Sequence, residues 1–220
     1  MRGLYAIADV TTLAARGVDV VAFVRAVVKA RPAAIQLRAK ELEARATLAL
    51  LRELVPVCEG ARVPLVANDR ADIAAAARCD LVHVGQDDLG VEDVRRFAPG
   101  LGVGVSTHDL GQLERAIALR PDYVAYGPVF PTASKARPDP TVGVEGLRAA
   151  HSIARAARVP LVAIGGVTLE RAREIAGTTD AVAVIAALLP ALRAPVDLVE
   201  VTARAERFQA VLAEGGAGRG

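Results

Sequence analysis

The sequence predicts a single-domain (β/α)8 barrel of the TIM type, and three observations support that fold class. Eight short segments rich in Val, Ile, Leu and Ala alternate with longer segments of helical periodicity. The strand segments are apolar on both faces, as expected for parallel strands that helices cover. A chain of 220 residues suits a barrel of eight such units. An open doubly wound sheet is the alternative, but eight strands without a topological break disfavour it.

The predicted strands follow one another at regular intervals. They are residues 4–8, 33–37, 63–67, 81–84, 102–105, 123–127, 160–164 and 181–185. A helical pattern follows each strand, and the last runs from about Val196 to Leu212. The connection from Pro128 to Gly143 is long, and long loops in compact domains are often functional. We expect one barrel domain over residues 1–214 and a disordered tail over residues 215–220.

Composition disfavours several classes of function. A net charge of +2 gives no reason to expect nucleic-acid binding. The N-terminal residues lack a signal-peptide pattern, and the longest apolar run, residues 181–192, is too short to cross a bilayer. Two cysteines without metal-ligand spacing are typical of a reduced protein. We expect a cytoplasmic protein that binds neither nucleic acid nor membrane. The sequence leaves its oligomeric state open, and a homo-oligomer is one of the alternatives.

Polar residues of the rarer types cluster directly after the predicted strands. The only asparagine, two of three lysines, two of three serines and two of four glutamines lie there. The carboxyl ends of all strands in a barrel form one face, where active sites lie, so these side chains should converge. The residues at these ends are Asp9, Gln36, Arg38, Lys40, Asn68, Asp69, Gln86, Asp88, Ser106, Thr132, Ser134, Lys135, Gly165, Gly166 and Ala186.

Two of these residues, both aspartates, predict a site for a divalent cation. Asp69 and Asp88 are one strand–helix unit apart and therefore follow neighbouring strands, which lie about 4.8 Å apart. Carboxylates with open positions suit Mg²⁺, which also takes substrate phosphates as ligands. Each aspartate alone could instead cap the following helix. Capping does not account for the cationic residues expected opposite them.

Two groups of residues predict anion sites. Gln36, Arg38 and Lys40 share one side of an extended chain, and a guanidinium beside an ammonium suits a diphosphate. A solvated basic patch is the other interpretation. Residues 131–135, PTASK, offer two hydroxyls and an ammonium. The glycines at 165–166 allow backbone N–H groups to approach a phosphate, although a tight turn alone is the other interpretation of this pair.

The histidines favour supporting roles over catalysis. No nucleophile–base order and no zinc-ligand spacing is evident. His83 lies in the middle of a strand, which favours a packed core histidine. His108 lies at the rim, where a helix cap or a supporting hydrogen bond is favoured over acid–base chemistry.

Six segments resemble the thiamine-phosphate synthase family. They are IQLRAK, ANDRADIA, VHVGQDDL, GVSTHDL, GPVFPTASK and AIGGV, in that order and one per strand–helix unit. The resemblance implies a Mg²⁺-dependent transferase with two small-molecule substrates. It would join 4-amino-2-methyl-5-hydroxymethylpyrimidine diphosphate to 4-methyl-5-(2-phosphoethyl)thiazole, or to its carboxylated tautomer, giving thiamine phosphate and pyrophosphate.

The resemblance also implies a role for each site residue. Catalytic roles fall to Arg38, Ser106 and Lys135, and Mg²⁺ would bind Asp69 and Asp88. The pyrimidine substrate would contact Gln36, Arg38, Lys40, Asn68 and Ser106, and Lys135 the leaving diphosphate. The thiazole phosphate would contact Thr132, Ser134, Gly166, Ile185 and Ala186. Ser134 stands where the family usually has Thr, and Ala186 where it usually has Ser; thiazole-phosphate binding weakens if that serine hydroxyl matters.

Two other functions are weighed against this one. A thiazole tautomerase is a related barrel that uses neither metal nor diphosphate. It generally lacks the paired aspartates and has His where this chain has Pro128. A non-catalytic barrel that binds a phosphate metabolite has no evident use for both Asp69 and Asp88.

Overall fold

The strands close into a parallel barrel. The computed structural model describes residues 1–132, 139–191 and 194–217. The strands are β1 Gly3–Asp9, β2 Ala34–Arg38, β3 Leu65–Asn68, β4 Leu81–Val84, β5 Gly102–Thr107, β6 Tyr123–Tyr126, β7 Leu161–Ala163 and β8 Ala181–Val184. Each pairs with the next in sequence, and β8 pairs in parallel with β1. The predicted (β/α)8 barrel is confirmed, and the open sheet is wrong because the barrel closes.

Helices cover the outside of the barrel. They are α1 Val10–Ala14, α2 Val20–Val27, α3 Ala44–Ala61, α4 Ala71–Ala77, α5 Val91–Phe97, α6 Leu110–Ala118, α7 Gly143–Ala156, α8 Leu169–Ile175 and α9 Leu198–Ala217. Short 3₁₀ turns occupy Val28–Ala30 and Ala186–Leu188. Within the described part of the chain, no helix has the length and hydropathy needed to cross a bilayer.

The core has two layers, because alternate residues of each strand face opposite sides. The outer layer lies between strands and helices and includes both cysteines, Cys58 and Cys79. Burial, with the nearby Asp80 charge, raises the pKa of each thiol to about 12, which suits structural thiols. The inner layer fills the barrel itself and includes Tyr5 and Tyr123. The filled interior leaves the ends of the barrel for binding a ligand.

Three aspartates recur at the amino-terminal end of the barrel. Asp80, Asp122 and Asp180 directly precede β4, β6 and β8. Their Oδ2 atoms accept hydrogen bonds from the backbone N–H groups of Leu65 at 2.8 Å, Val103 at 2.8 Å and Leu161 at 2.9 Å. Each partner lies at the start of the preceding strand, so the aspartates tie strands together in pairs at this face.

Removing one of these aspartates should destabilise the barrel. Asp180→Ala leaves the N–H of Leu161, a residue that is 0 % exposed, without its side-chain acceptor. We expect the free energy of unfolding in urea to fall by about 1–3 kcal/mol. Asp93→Ala, at an exposed position on α5, is the control and should change it by less than about 0.5 kcal/mol. Equal small effects of both variants would contradict the role of Asp180.

The last helix extends further than the sequence predicts. Residues 215–217, assigned to a disordered tail, belong to α9. A Cβ added at Gly215 would lie 2.5 Å from the Cβ of Ala176, so the absence of a side chain permits close packing there. The glycine that indicated a tail is a packing contact. Residues 218–220 of the predicted tail lie outside the described residues.

Candidate active site

A cleft opens at the carboxyl ends of β2, β3 and β4. Its cavity measures about 340 Å³, and its polar lining includes Lys40, Asn68, Asp69 and Asp88. Asn68 is the last residue of β3, and Asp69 follows it in the left-handed region at φ 63°. The Asp69 N–H donates to the carbonyl of His83 on β4 at 2.8 Å, which extends the sheet by one bond. The structure therefore brings four of the predicted site residues into one cavity.

The two aspartates of this cleft interact with each other and with a cation. Burial raises the pKa of the Asp69 carboxyl, the Lys40 ammonium opposes that shift, and the Asp88 carboxylate raises the pKa further. The Nζ atom of Lys40 lies 3.4 Å from Oδ2 of Asp69. An anion held beside a second carboxylate is destabilised, and a cation shared by both would relieve that repulsion.

Helix capping does not explain these aspartates. The residue that caps α4 is Arg70 and the one that caps α5 is Gly90, and neither makes a side-chain capping bond. Asp88 instead accepts a hydrogen bond from the N–H of Gly85 at 2.7 Å, inside the loop. The capping alternative is wrong for both positions.

The donor set fits a hard divalent cation with open positions. Among the residues that the structure describes, no third His, Cys, Asp or Glu joins Asp69 and Asp88 in a metal-binding cluster. Two carboxylates alone leave most of an octahedral shell to water and substrate oxygens, which is how Mg²⁺ is commonly held at phosphate sites. Asp69 and Asp88 could therefore hold Mg²⁺ together with a phosphorylated substrate.

Gln36 faces the interior of the barrel and does not itself line the cleft. It pairs in register with Ile7 and Val66, both of which face the interior, so its side chain faces inward too. It is 2 % exposed, and its Nε2 atom has no hydrogen-bond partner within the described chain. A buried donor without an acceptor costs about 1–3 kcal/mol. Such a group is typical of a position where a ligand supplies the acceptor.

Ser106 is the end of a hydrogen-bond chain that runs down the barrel. Its Oγ lies 2.8 Å from Nε2 of His83, whose Nδ1 lies 2.8 Å from the hydroxyl of Tyr123. The hydroxyls of Tyr123 and Tyr5 are 2.8 Å apart. Burial raises the pKa of both phenols, so they stay neutral and act only as hydrogen-bonding groups. The chain orients the Ser106 hydroxyl at the floor of the mouth.

These tyrosines were absent from the predicted site. His83 is buried, as expected, but it also carries the link from Ser106 to Tyr123. The signal lies in the register: His83, Gly104 and Tyr123 are neighbours across β4, β5 and β6. A Cβ at Gly104 would lie 2.0 Å from Cζ of Tyr123, so this glycine makes room for the ring. Gly104, which lies between His83 and Tyr123 in the sheet, is the residue that could have indicated the buried tyrosine.

The opposite side of the mouth is formed by the loops after β6, β7 and β8. Gly165 and Gly166 have φ of 99° and 64°, and a Cβ at Gly166 would lie 2.3 Å from the carbonyl oxygen of Pro131. The Arg171 guanidinium packs 4.8 Å from the Phe130 ring centroid and donates to the Gly166 carbonyl at 2.6 Å. The two loops are thereby held together.

Three further predicted residues, Thr132, Ile185 and Ala186, lie along these loops. Ile185 directly follows β8, and Ala186 begins the 3₁₀ turn after it. Thr132 ends the first described segment, while Ser134 and Lys135 lie outside the described residues. His108 donates from Nδ1 to the Gly127 carbonyl at 2.7 Å, which is the supporting hydrogen bond that the sequence favoured.

Comparison with known proteins decides the family. A family model described as thiamine monophosphate synthase matches residues 4–188. The chain belongs to the thiamine monophosphate synthase family. It is 40 % identical over 205 residues to a thiamine-phosphate synthase of Anaeromyxobacter dehalogenans, covering 93 % of this chain and 88 % of that one. It is 46 % identical over 157 residues to that of Koribacter versatilis, covering 70 % and 72 %. The prediction of a thiamine-phosphate synthase, a transferase, is confirmed.

Two solved structures share the barrel fold of this chain, and one of them is a thiamine phosphate pyrophosphorylase. Thiamine phosphate pyrophosphorylase from Pyrococcus furiosus superposes with a TM-score of 0.81 at 29 % identity, covering 97 % of this chain and 96 % of that chain. A structure titled "Native KDPGal structure" superposes with a TM-score of 0.69 at 18 % identity over 97 % and 96 %. That second likeness shows only the barrel fold, which many activities share. The thiamine monophosphate synthase family thus rests on sequence and structure together.

Proposed function

We propose that the cleft binds the pyrimidine diphosphate together with Mg²⁺, and that the loops after β6 to β8 bind the thiazole phosphate. The observation that carries this proposal is the juxtaposition of two carboxylates, Asp69 and Asp88, with Lys40 and Asn68 in one cavity. A cation would neutralise the diphosphate, and Asp69 and Asp88 would hold that cation beside it. Membership of a family of thiamine-phosphate synthases supports the same substrates.

The chemistry asks more of electrostatics than of acid–base groups. The thiazole nitrogen attacks the exocyclic carbon of the pyrimidine as a neutral lone pair, and the carbon–oxygen bond to diphosphate breaks. In this proposal, Arg38 and Lys40 stabilise the charge that collects on the departing oxygens. Bound Mg²⁺ would add further neutralisation of the diphosphate. Lys135 is proposed to contact the same leaving group, as the family resemblance implies.

The interior groups orient the pyrimidine ring in this proposal. The unpaired Gln36 amide and the Ser106 hydroxyl both face the base of the mouth, where an aminopyrimidine offers ring nitrogens and an amino group. The His83–Tyr123 link fixes the rotation of the Ser106 hydroxyl. On the thiazole side, we propose, as the family resemblance implies, that the phosphate contacts Thr132, Ser134, Gly166, Ile185 and Ala186. At Ala186 only the backbone N–H is available, in place of a serine hydroxyl.

One assay tests the proposed function directly. Both substrates are incubated with enzyme in Mg²⁺ or in excess chelator, and thiamine phosphate and pyrophosphate are followed in time. We expect product only with Mg²⁺. Equal product in chelator would contradict the metal assignment, and conversion of the carboxylated thiazole to its tautomer without thiamine phosphate would indicate a tautomerase.

Gln36 should show opposite effects on stability and on binding. Gln36→Met keeps the length of the side chain and removes the unpaired donor, so the free energy of unfolding should rise by about 1 kcal/mol. The KM for the pyrimidine diphosphate should rise by about tenfold, the loss of one hydrogen bond. Thermal unfolding and initial rates measure the two effects. A fall in stability would show that Gln36 is already paired in the free protein.

A further inference from the structure

Asp9 is a buried carboxylate at the rim that the proposed function leaves without a role. It ends β1 and lies directly beside Arg38, its register partner at the end of β2. The Nη1 atom of Arg38 donates to Oδ2 of Asp9 at 2.5 Å. Asp9 is 4 % exposed, so this ion pair is largely removed from water on the carboxylate side.

The Asp9 carboxylate is itself held in place. Its Oδ1 accepts from the backbone N–H of Thr12 at 2.8 Å and from the Thr12 hydroxyl at 2.6 Å. Burial tends to raise the pKa of Asp9, but the bonds from Thr12 and Arg38 outweigh burial and hold it below its usual value. Asp9 is therefore a fixed anion at neutral pH, with both oxygens in use.

Arg38 is left with one edge for a ligand. Among the described residues, its guanidinium has no hydrogen-bond partner besides Asp9, and its side chain is 21 % exposed. A guanidinium fixed at one nitrogen presents its other donors in a set direction, which suits a bidentate contact with phosphate. A mobile arginine would have to be ordered when the ligand binds, at a cost of about 0.5–1.5 kcal/mol.

Asp9 also opposes binding, because it cancels the charge of Arg38. If charge alone governed the diphosphate site, removing the Asp9 anion would strengthen binding. If orientation governs it, removing the anion would weaken binding. Because Thr12 holds Asp9 and Asp9 holds Arg38, we expect the orientation of Arg38, and not the net charge, to govern diphosphate binding.

We propose that Asp9, braced by Thr12, is a positioning residue that aims the Arg38 guanidinium at the diphosphate. This inference rests on the proposed function of the cleft. Asp9 acts only through Arg38 and contacts no substrate. The ion pair gives up part of the attraction of Arg38 for phosphate in exchange for a fixed direction.

A double-mutant cycle with a matched control tests the proposal. Asp9→Asn keeps one oxygen as the acceptor for Thr12, so its NH₂ group faces Arg38 and cannot accept from the guanidinium. Asp9 is the N-cap of α1, accepting from the Thr12 N–H. Asp19→Asn is the control, because Asp19 caps α2 in the same way, accepting from the Ala22 N–H at 2.8 Å, and no ion pair is found for it in the described residues. Each change is made in the wild-type and in the Arg38→Ala background. The measurements are kcat, KM for each substrate, and the Kd of pyrophosphate with Mg²⁺ by calorimetry.

In the wild-type background, Asp9→Asn should lower kcat about tenfold and weaken pyrophosphate binding about tenfold, one lost charge-assisted contact. The KM for thiazole phosphate should stay within twofold. In the Arg38→Ala background the same change should do nothing more, and Asp19→Asn should match wild type in both. Additive losses, tighter pyrophosphate binding, or equal effects of Asp9→Asn and Asp19→Asn would overturn the proposal.

The outcomes separate this inference from the proposed function. A wild-type enzyme that makes no thiamine phosphate would refute the function itself. A wild-type enzyme that makes product, with Asp9→Asn unimpaired, would refute only the role of Asp9. If Asp9→Asn does not fold, Thr12→Val removes the hydroxyl bond at 2.6 Å while keeping the ion pair. It should then shift the same parameters in the same direction by about threefold, and an unchanged pyrophosphate Kd would count against the proposal.

Discussion

Asp88→Asn should sharply slow magnesium-dependent release of pyrophosphate while leaving the fold intact. Asparagine retains an oxygen that can accept the Gly85 N–H, so the loop after β4 keeps its hydrogen bond. It removes one of the two charges that would hold Mg²⁺ beside Asp69. We expect kcat/KM to fall by about 10²–10³, the usual loss for one group that stabilises transition-state charge. Initial rates across a range of Mg²⁺ concentrations measure the effect.

The neighbouring Asp87 provides the control for this prediction. It carries the same charge, is exposed, and does not line the cavity. Asp87→Asn should leave the rate and its magnesium dependence within about twofold. If Asp88→Asn also kept the wild-type magnesium dependence, the metal assignment would have to be abandoned.

Gly104→Ala should destabilise the barrel and impair the site at once. The added Cβ would lie within 2.4 Å of three atoms of Tyr123, a side chain that is 0 % exposed. Overpacking of this kind costs about 3 kcal/mol. A displaced Tyr123 also releases Nδ1 of His83, and with it the orientation of Ser106. Denaturant unfolding and the KM for the pyrimidine diphosphate report the two effects.

Gly100 is the matched glycine for comparison. A Cβ there meets no atom within 4 Å. Gly100→Ala should therefore leave the free energy of unfolding unchanged and KM within about twofold. A stable, fully active Gly104→Ala protein would show that the tyrosine ring can move without cost. In that case the hydrogen-bond chain would not position Ser106.

The fold was predictable because its pattern is local. Apolar segments followed by helical periodicity mark each unit, and the eight predicted strands overlap the observed ones. The five-residue α1 was missed because it is too short to show periodicity. The extension of α9 through Gly215 was missed because a glycine that packs against Ala176 looks, in sequence, like the start of a tail.

The site was predictable only where its residues follow their own strands. Asp69, Asp88, Asn68 and Lys40 could be grouped because every strand of a barrel ends on one face. The link from Ser106 to Tyr5 depends on which residues of four strands, β1, β4, β5 and β6, meet inside the barrel. The register between strands cannot be deduced from the sequence of any one strand alone. The bond between Asp9 and Arg38 was missed for the same reason.

The layer of buried side chains that fills the barrel affects the access of ligands as well as stability. Tyr5, Tyr123 and their neighbours fill the interior of the barrel. Both substrates of the proposed reaction would therefore enter, and both products leave, through the mouth at the carboxyl ends of the strands. In the proposed function, the substrate that contacts this layer would bind first and its part of the product would leave last. A molecule that bound first at the outer position would block the inner one, so the filled interior would also favour one order of substrate binding.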